Sequence, residues 1–213
     1  MPEHDNELTA NRPDDHRQAS LYLAAQDADW ARHIAAIGPC QHRATLHREP
    51  FEALVRSVAY QQLHARAAEA ILGRLLVLFP DVEFPSAEAL LAIDPQCIRA
   101  CGFSARKLTT VQALAQARLT GQVPTQQEAQ TLTNEALITR LTALPGIGRW
   151  TVEMLLIYGL GRLDVLPVDD YGVREGYRRL KGLDKAPTPA QMRALGQAWS
   201  PHRTVAAWYL WRA

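Results

Sequence analysis

Apolar residues recur three and four positions apart along most of the chain. That spacing predicts amphipathic helices over 28–37, 51–78, 87–93, 104–117, 134–143, 149–160, 171–180, 189–199 and 205–211. The punctuation agrees. Ser104 and Thr188 stand where helix N-caps belong, Gly102 and Gly161 suit helix ends, and Pro80, Pro85, Pro124 and Pro167 interrupt the pattern. Strand-type alternation, internal repeats and low-complexity tracts are absent from the sequence, so the expected fold class is all-α. Residues 1–17 carry no apolar periodicity and are expected to be a disordered leader, with one domain over 18–213.

A chain of 213 residues with 47% hydrophobic content can bury a full core. No apolar run approaches the roughly 20 residues needed to cross a bilayer, and the N-terminus is polar with several acids, so a cytoplasmic protein without a membrane partner is expected. Cys40, Cys97 and Cys101 fit neither a disulfide framework nor spaced zinc ligands. Cys97 and Cys101, four apart, share a helix face and read as buried thiols. The seven histidines fall in no ligand spacing and read as surface or core residues. A formal net charge of +1 does not announce a nucleic-acid binder, but its distribution is uneven. From Thr142 onward ten Lys/Arg face six Asp/Glu, whereas the preceding residues hold thirteen against sixteen.

The basic half holds the two most distinctive segments. Leu144-Pro145-Gly146-Ile147-Gly148-Arg149-Trp150-Thr151 reads as a helix end, a tight turn that glycines permit, and a new helix. Such a turn offers main-chain N–H groups to an anion, and Arg149 can add a charge-assisted contact. An ordinary helix connection explains the same residues. The second segment, Val168-Asp169-Asp170-Tyr171-Gly172-Val173-Arg174, puts two acids ahead of a helix, where carboxylates also serve as N-caps.

These segments, with Tyr60-Gln61-Gln62-Leu63, Gly102-Phe103-Ser104-Ala105-Arg106-Lys107 and His202 to Arg212 in the same order, resemble the helix-hairpin-helix DNA glycosylases, and among them the AlkA-like 3-methyladenine DNA glycosylase II branch. The resemblance covers roughly residues 20 to 213. It implies two helical lobes flanking a base-binding cleft, a hairpin at 142–152, and a monofunctional enzyme that hydrolyses the N-glycosidic bond of alkylated purines in duplex DNA. Damaged double-stranded DNA is then the partner, a monomer the expected state, and the nucleoid the location if the source is bacterial.

By the same resemblance Asp170 is the catalytic carboxylate, stabilising positive charge on the sugar and orienting water. Asp169 is left as the cap or neighbour. Trp150 stands where relatives that cleave strands carry a nucleophilic lysine; an indole forms no Schiff base, which argues against a bifunctional lyase. Trp150, Met154 and Trp211 are the expected base pocket, with a cation–π contribution toward a cationic base. Packing on a helix face explains the same tryptophans, and Arg212 follows Trp211 where the branch can have an aromatic residue. The hairpin residues Gly146, Ile147, Gly148, Arg149 and Thr151 are expected to hold DNA, and Gln62 or Leu63 to wedge into the duplex. No organic cofactor is expected. A structural Na+ or similar cation on the main-chain carbonyls of Thr142, Leu144 and Ile147 is the one ion implied. The non-enzymatic alternative is a hairpin module that binds damaged DNA without cutting it.

Overall fold

Helix starts are written in the sequence as side-chain caps. Ser104 accepts the Lys107 N–H and Thr188 that of Gln191, as expected, while Asp27, Ser86, Asp94, Thr125 and Thr133 begin further helices in the same way. The computed structural model describes residues 13–213. In chain order they form α1 (Pro13–Ala24), α2 (Ala28–Ile37), α3 (Pro50–Tyr60), α4 (Ala65–Val77), α5 (Ala87–Ala92), α6 (Pro95–Ala100), α7 (Ala105–Leu119), α8 (Gln126–Thr131), α9 (Asn134–Thr142), α10 (Arg149–Met154), α11 (Tyr171–Leu180), α12 (Pro189–Leu195) and α13 (Arg203–Leu210). A π-turn, Leu155–Gly159, continues α10, and a 3-10 turn, Gly196–Trp199, follows α12. No strand occurs among the described residues, in keeping with an all-α chain.

Three expectations are corrected. Residues 13–17, assigned to the leader, form the start of α1, where His16 and Ala19 are buried; residues 1–12 lie outside the described part. The periodic stretch 51–78 is two helices, because Gln62 turns into the left-handed region at φ 58 and ends α3. Of the paired thiols, Cys101 is buried but Cys97 is only half-buried; all three cysteines are free. The short helices α6 and α8 escape the periodicity because six residues hold fewer than two turns.

The chain divides into two compact units, one made of the described residues up to Leu46 with Leu156–Ala213, the other of His47–Leu155. In the second, α7 packs against α3, α5 and α6, α3 against α4 and α10, and α9 against α10. Leu54, Leu75, Leu90, Ile98, Phe103, Leu114, Leu137 and Leu141 fill its interior. In the first unit α13 packs on α1, α2 and α11 around Leu23, Trp30, Val173, Trp199 and Tyr209. Gly176 lets α11 and α13 meet at backbone distance, since a Cβ there would lie 1.9 Å from the Leu210 carbonyl oxygen. The start of α13 is held by Asp164, whose carboxylate accepts from Arg203 Nε at 2.6 Å, Arg203 Nη2 at 2.8 Å and Ser200 Oγ at 2.8 Å.

Two buried histidines in this unit carry an electrostatic cost. His16 and His42 have ring centroids 5.8 Å apart, and His16 Nε2 and both His42 nitrogens are buried without a hydrogen bond. Burial lowers the His42 pKa to about 4, with the neighbouring His16 adding to the effect; the Ile157 main chain opposes it from outside hydrogen-bond geometry, and Arg212 adds a small further push downward. Burial also lowers His16, against Asp15. An unfolded chain therefore takes up protons near pH 6.5 that the folded chain refuses, so stability is complete above that pH and falls as pH drops toward 4. For His42 the full swing is about 3 kcal/mol. We predict that the melting temperature of wild type falls more steeply between pH 6.5 and 4 than that of His42→Phe; parallel curves would show that His42 is not the group responsible.

Candidate active site

Asp170 sits at the start of α11 with its backbone extended, and its Oδ1 accepts the Val173 N–H at 2.9 Å. It is therefore itself the N-cap, and the assignment of that role to Asp169 is corrected: Asp169 is exposed. The same oxygen accepts Trp211 Nε1–H at 3.0 Å. Two donors on one oxygen fix the carboxylate's orientation. Gly172 makes room for this, because a Cβ there would press on Trp211 Cδ1 at 3.0 Å and Asp170 Oδ1 at 3.1 Å. The close approach at Gly176 then delivers Trp211, the first residue after α13, onto the first turn of α11.

An aromatic side chain that the periodic pattern does not reveal completes this cluster. Tyr158 is exposed and lies nearly parallel to Trp211, with ring centroids 6.3 Å apart and planes 23° apart. His42 meets Tyr158 edge-on at 5.2 Å, and the Tyr158 carbonyl accepts Thr45 N–H at 2.7 Å. Tyr158 belongs to the π-turn, where each turn holds an extra residue, so the 3.6-residue face through Trp150, Met154 and Ile157 misplaces it. The one signal in the sequence is an aromatic residue eight positions after Trp150. Burial raises its phenol pKa, and Arg212 opposes the rise. Arg212 also lies over the Trp208 ring, 3.7 Å from its centroid, and Trp208 is buried in the core.

The second unit carries the hairpin between α9 and α10. Gly146 has φ +78, and a Cβ there would lie 2.1 Å from Thr110 Oγ1 on α7, so both its conformation and its packing require glycine. Gly148 differs. Its φ of −91 suits any residue and nothing lies within 4 Å of a Cβ built on it. Neither the backbone conformation nor the packing demands glycine there. Thr151 and Val152 N–H groups bond to the Gly148 carbonyl, while among the described residues the N–H groups of Gly148 and Arg149 meet no acceptor. Trp150 is 38% exposed beside them, and Met154 is half-buried.

Other hairpin residues differ from expectation. The Arg149 guanidinium is held by Glu135 at 2.6 Å and Glu153 at 3.0 Å, so its side chain braces α10 and is not poised for an outside anion. These two carboxylates hold its pKa above the usual arginine range, Glu135 contributing most. Ile147 and Thr151 are buried: the Ile147 N–H bonds to the Leu144 carbonyl at 3.2 Å, and Thr151 Oγ1 accepts Gln61 Nε2 at 3.4 Å. Neither side chain offers a surface contact. Gln62 and Leu63 are exposed in the loop between α3 and α4. The main-chain oxygens of Thr142, Leu144 and Ile147 are neutral, hard donors of the kind that suit an alkali cation. No group of three His, Cys, Asp or Glu side chains gathers as a metal site among the described residues. No helix among them is long and apolar enough to cross a membrane.

The chain is similar to known proteins in both sequence and fold. The chain is 45% identical over 196 residues to the DNA-3-methyladenine glycosylase 1 of Schizosaccharomyces pombe, covering 92% of this chain and 86% of that protein. The structure of the 3-methyladenine DNA glycosylase of that yeast in complex with abasic DNA superposes with a TM-score of 0.86 at 44% identity, covering 92% of this chain and 95% of the other. A DNA-3-methyladenine glycosidase from Bacillus halodurans superposes with a TM-score of 0.80 at 33% identity over 91% and 88% of the two chains. The family model of the HhH-GPD superfamily base excision DNA repair proteins matches residues 55–202, and this chain belongs to that superfamily.

Proposed function

We propose that the protein is a monofunctional DNA glycosylase that hydrolyses the N-glycosidic bond of alkylated purines, 3-methyladenine and 7-methylguanine among them, in duplex DNA and leaves an abasic site for base-excision repair. The observation that carries this reading is Asp170, a carboxylate aimed by the Val173 N–H and the Trp211 indole. As the glycosidic bond lengthens, positive charge grows on the sugar. A fixed carboxylate stabilises that charge without reorganising, and it can accept a proton from the attacking water. An alkylated purine is already cationic, so its bond is weakened and one carboxylate suffices. The exposed Tyr158 ring and the partly buried Trp211 ring stacked on it offer π-faces that favour a cationic base by about 0.5–2 kcal/mol.

In this reading the hairpin binds a DNA phosphate through main-chain N–H groups at Gly148 and Arg149. The carbonyls of Thr142, Leu144 and Ile147 are the proposed ligands of a monovalent cation, which when bound would supply positive charge to the same phosphate. Gln62 and Leu63 fill the gap left in the base stack by the extruded nucleotide. The protein acts as a monomer on double-stranded DNA with a damaged base.

Four variants test this. Asp170→Asn keeps an oxygen able to accept from Val173 and Trp211, so it should fold normally and bind DNA as well as wild type or better, yet lose base release about 100- to 10,000-fold. The measurement is release of modified bases from methylated duplex DNA, with strand breaks scored before and after alkali. Full activity in the variant, or wild-type breaks before alkali, would sink the reading, and no release by wild type would favour the binding module. Trp211→Phe keeps an aromatic face but removes the indole donor, and single-turnover release should slow about 10- to 100-fold. The two glycines should separate cleanly. Gly148→Ala should leave the melting temperature nearly unchanged while weakening affinity for duplex DNA, whereas Gly146→Ala should lower the melting temperature; equal melting temperatures for the two would contradict the packing described for Thr110.

A further inference from the structure

Gln61 separates the end of α3 from the exposed loop, and its side chain points away from that loop's work. Its N–H closes α3 on the Ser57 and Val58 carbonyls. Gln62 then enters the left-handed region at φ 58, the one non-glycine residue with positive φ among those described, a conformation that side chains rarely adopt without support. The Leu63 N–H turns back to the Tyr60 carbonyl at 3.2 Å, which leaves Gln62, Leu63 and His64 exposed. A strained turn with exposed tips holds its shape only when something fixes its base.

The base is fixed by the hairpin. Gln61 Nε2 donates to the Gly146 carbonyl at 3.2 Å and lies 3.4 Å from Thr151 Oγ1. One amide nitrogen, with two hydrogens, thus reaches both the hairpin tip and the first turn of α10, in residues 85 and 90 positions further along the chain. Thr151 is buried, so its hydroxyl is directed inward to meet this amide. Lys107 Nζ adds a second restraint by donating to the Ala59 carbonyl at 2.9 Å, tying the last turn of α3 to α7. That same helix carries the Thr110 against which Gly146 packs.

We propose that Gln61 is a positioning residue that locks the Gln62–Leu63 loop to the hairpin, so that phosphate binding by the hairpin and entry of the loop into the base stack are performed by one rigid piece. This rests on the glycosylase reading above. The coupling matters where a base must be pulled from a paired stack, because there the phosphate contact has to hold the duplex while the wedge enters. It matters little for a lesion without a pairing partner, whose extrusion costs less.

The test compares base release from two duplexes carrying the same alkylated purine, one opposite its normal partner and one opposite a stable abasic analogue. With Gln61→Ala, kcat/KM on the paired lesion should fall about tenfold, while the unpaired lesion loses no more than about twofold. Gln61→Glu should behave like Gln61→Ala despite its shape, because a carboxylate cannot donate to the Gly146 carbonyl. Thr151→Val should give a smaller loss on the paired lesion, and the double variant should be no worse than Gln61→Ala alone. Melting temperatures are read alongside. Equal losses on the two duplexes, or no loss on the paired one, would overturn the proposal with the glycosylase reading intact. Absence of release by wild type from either duplex would overturn that reading and the proposal with it.

Discussion

The contact between α11 and α13 at Gly176 is the constraint on which the catalytic side of the protein depends. No side chain fits between Gly176 and the Leu210 carbonyl, so the two helix backbones touch and the position of the chain just beyond α13 is set by α11 itself. Trp211 stands there. Its indole falls over Gly172 and its N–H reaches Asp170. A longer gap would leave the carboxylate as an ordinary N-cap with one donor. The Asp164–Arg203 pair and the Ser200 hydroxyl secure the other end of α13, so the placement of Trp211 is determined from both ends of an eight-residue helix. Packing here acts directly on chemistry, because the group it positions is the donor that aims the carboxylate.

In the second unit two glycines two residues apart do different work. Gly146 is glycine for the fold, through its positive φ and its contact with Thr110; at Gly148 nothing in the chain would meet a side chain, and the proposed phosphate contact is what a glycine there would serve. Sequence alone treats them alike. The same separation applies to the charges around them. Arg149 neutralises Glu135 and the buried Glu153, which stiffens α10 against the preceding helix at the expense of its own availability.

Much of the fold was legible because it rests on local chemistry. Apolar spacing gives most helices, and the caps at Ser104 and Thr188 mark two of their starts. The family resemblance singles out Asp170 and Trp211 as candidates, but not the bond between them, which joins residues 41 positions apart. What stayed hidden has a common cause in geometry that breaks the regular period or that spans long separations. Gln62 interrupts an apolar pattern that continues in phase on both sides. Tyr158 is turned to its place by a π-turn that shifts the helical frame. Glu135, the partner of Arg149, lies 14 residues away, beyond any helical neighbour rule, and the inward-facing hydroxyl of Thr151 has no signature in a sequence.

The near-neutral charge of the chain fits this construction. A protein that holds DNA chiefly with lysine and arginine side chains needs a strongly basic face, and its affinity falls steeply with salt as counterions are released. Here the arginine nearest the hairpin is already paired within the fold, and the groups left for a phosphate are main-chain N–H donors beside a side-chain-free approach at Gly148. Main-chain donors carry no formal charge, so they add nothing to the composition that would betray a nucleic-acid partner. Their direction is fixed by the turn, and the turn is fixed by Gly146 against Thr110 and by the amide of Gln61. A net charge of +1 and a role on DNA are therefore compatible if, as proposed, main-chain geometry at one hairpin does for a phosphate what side-chain charge does elsewhere.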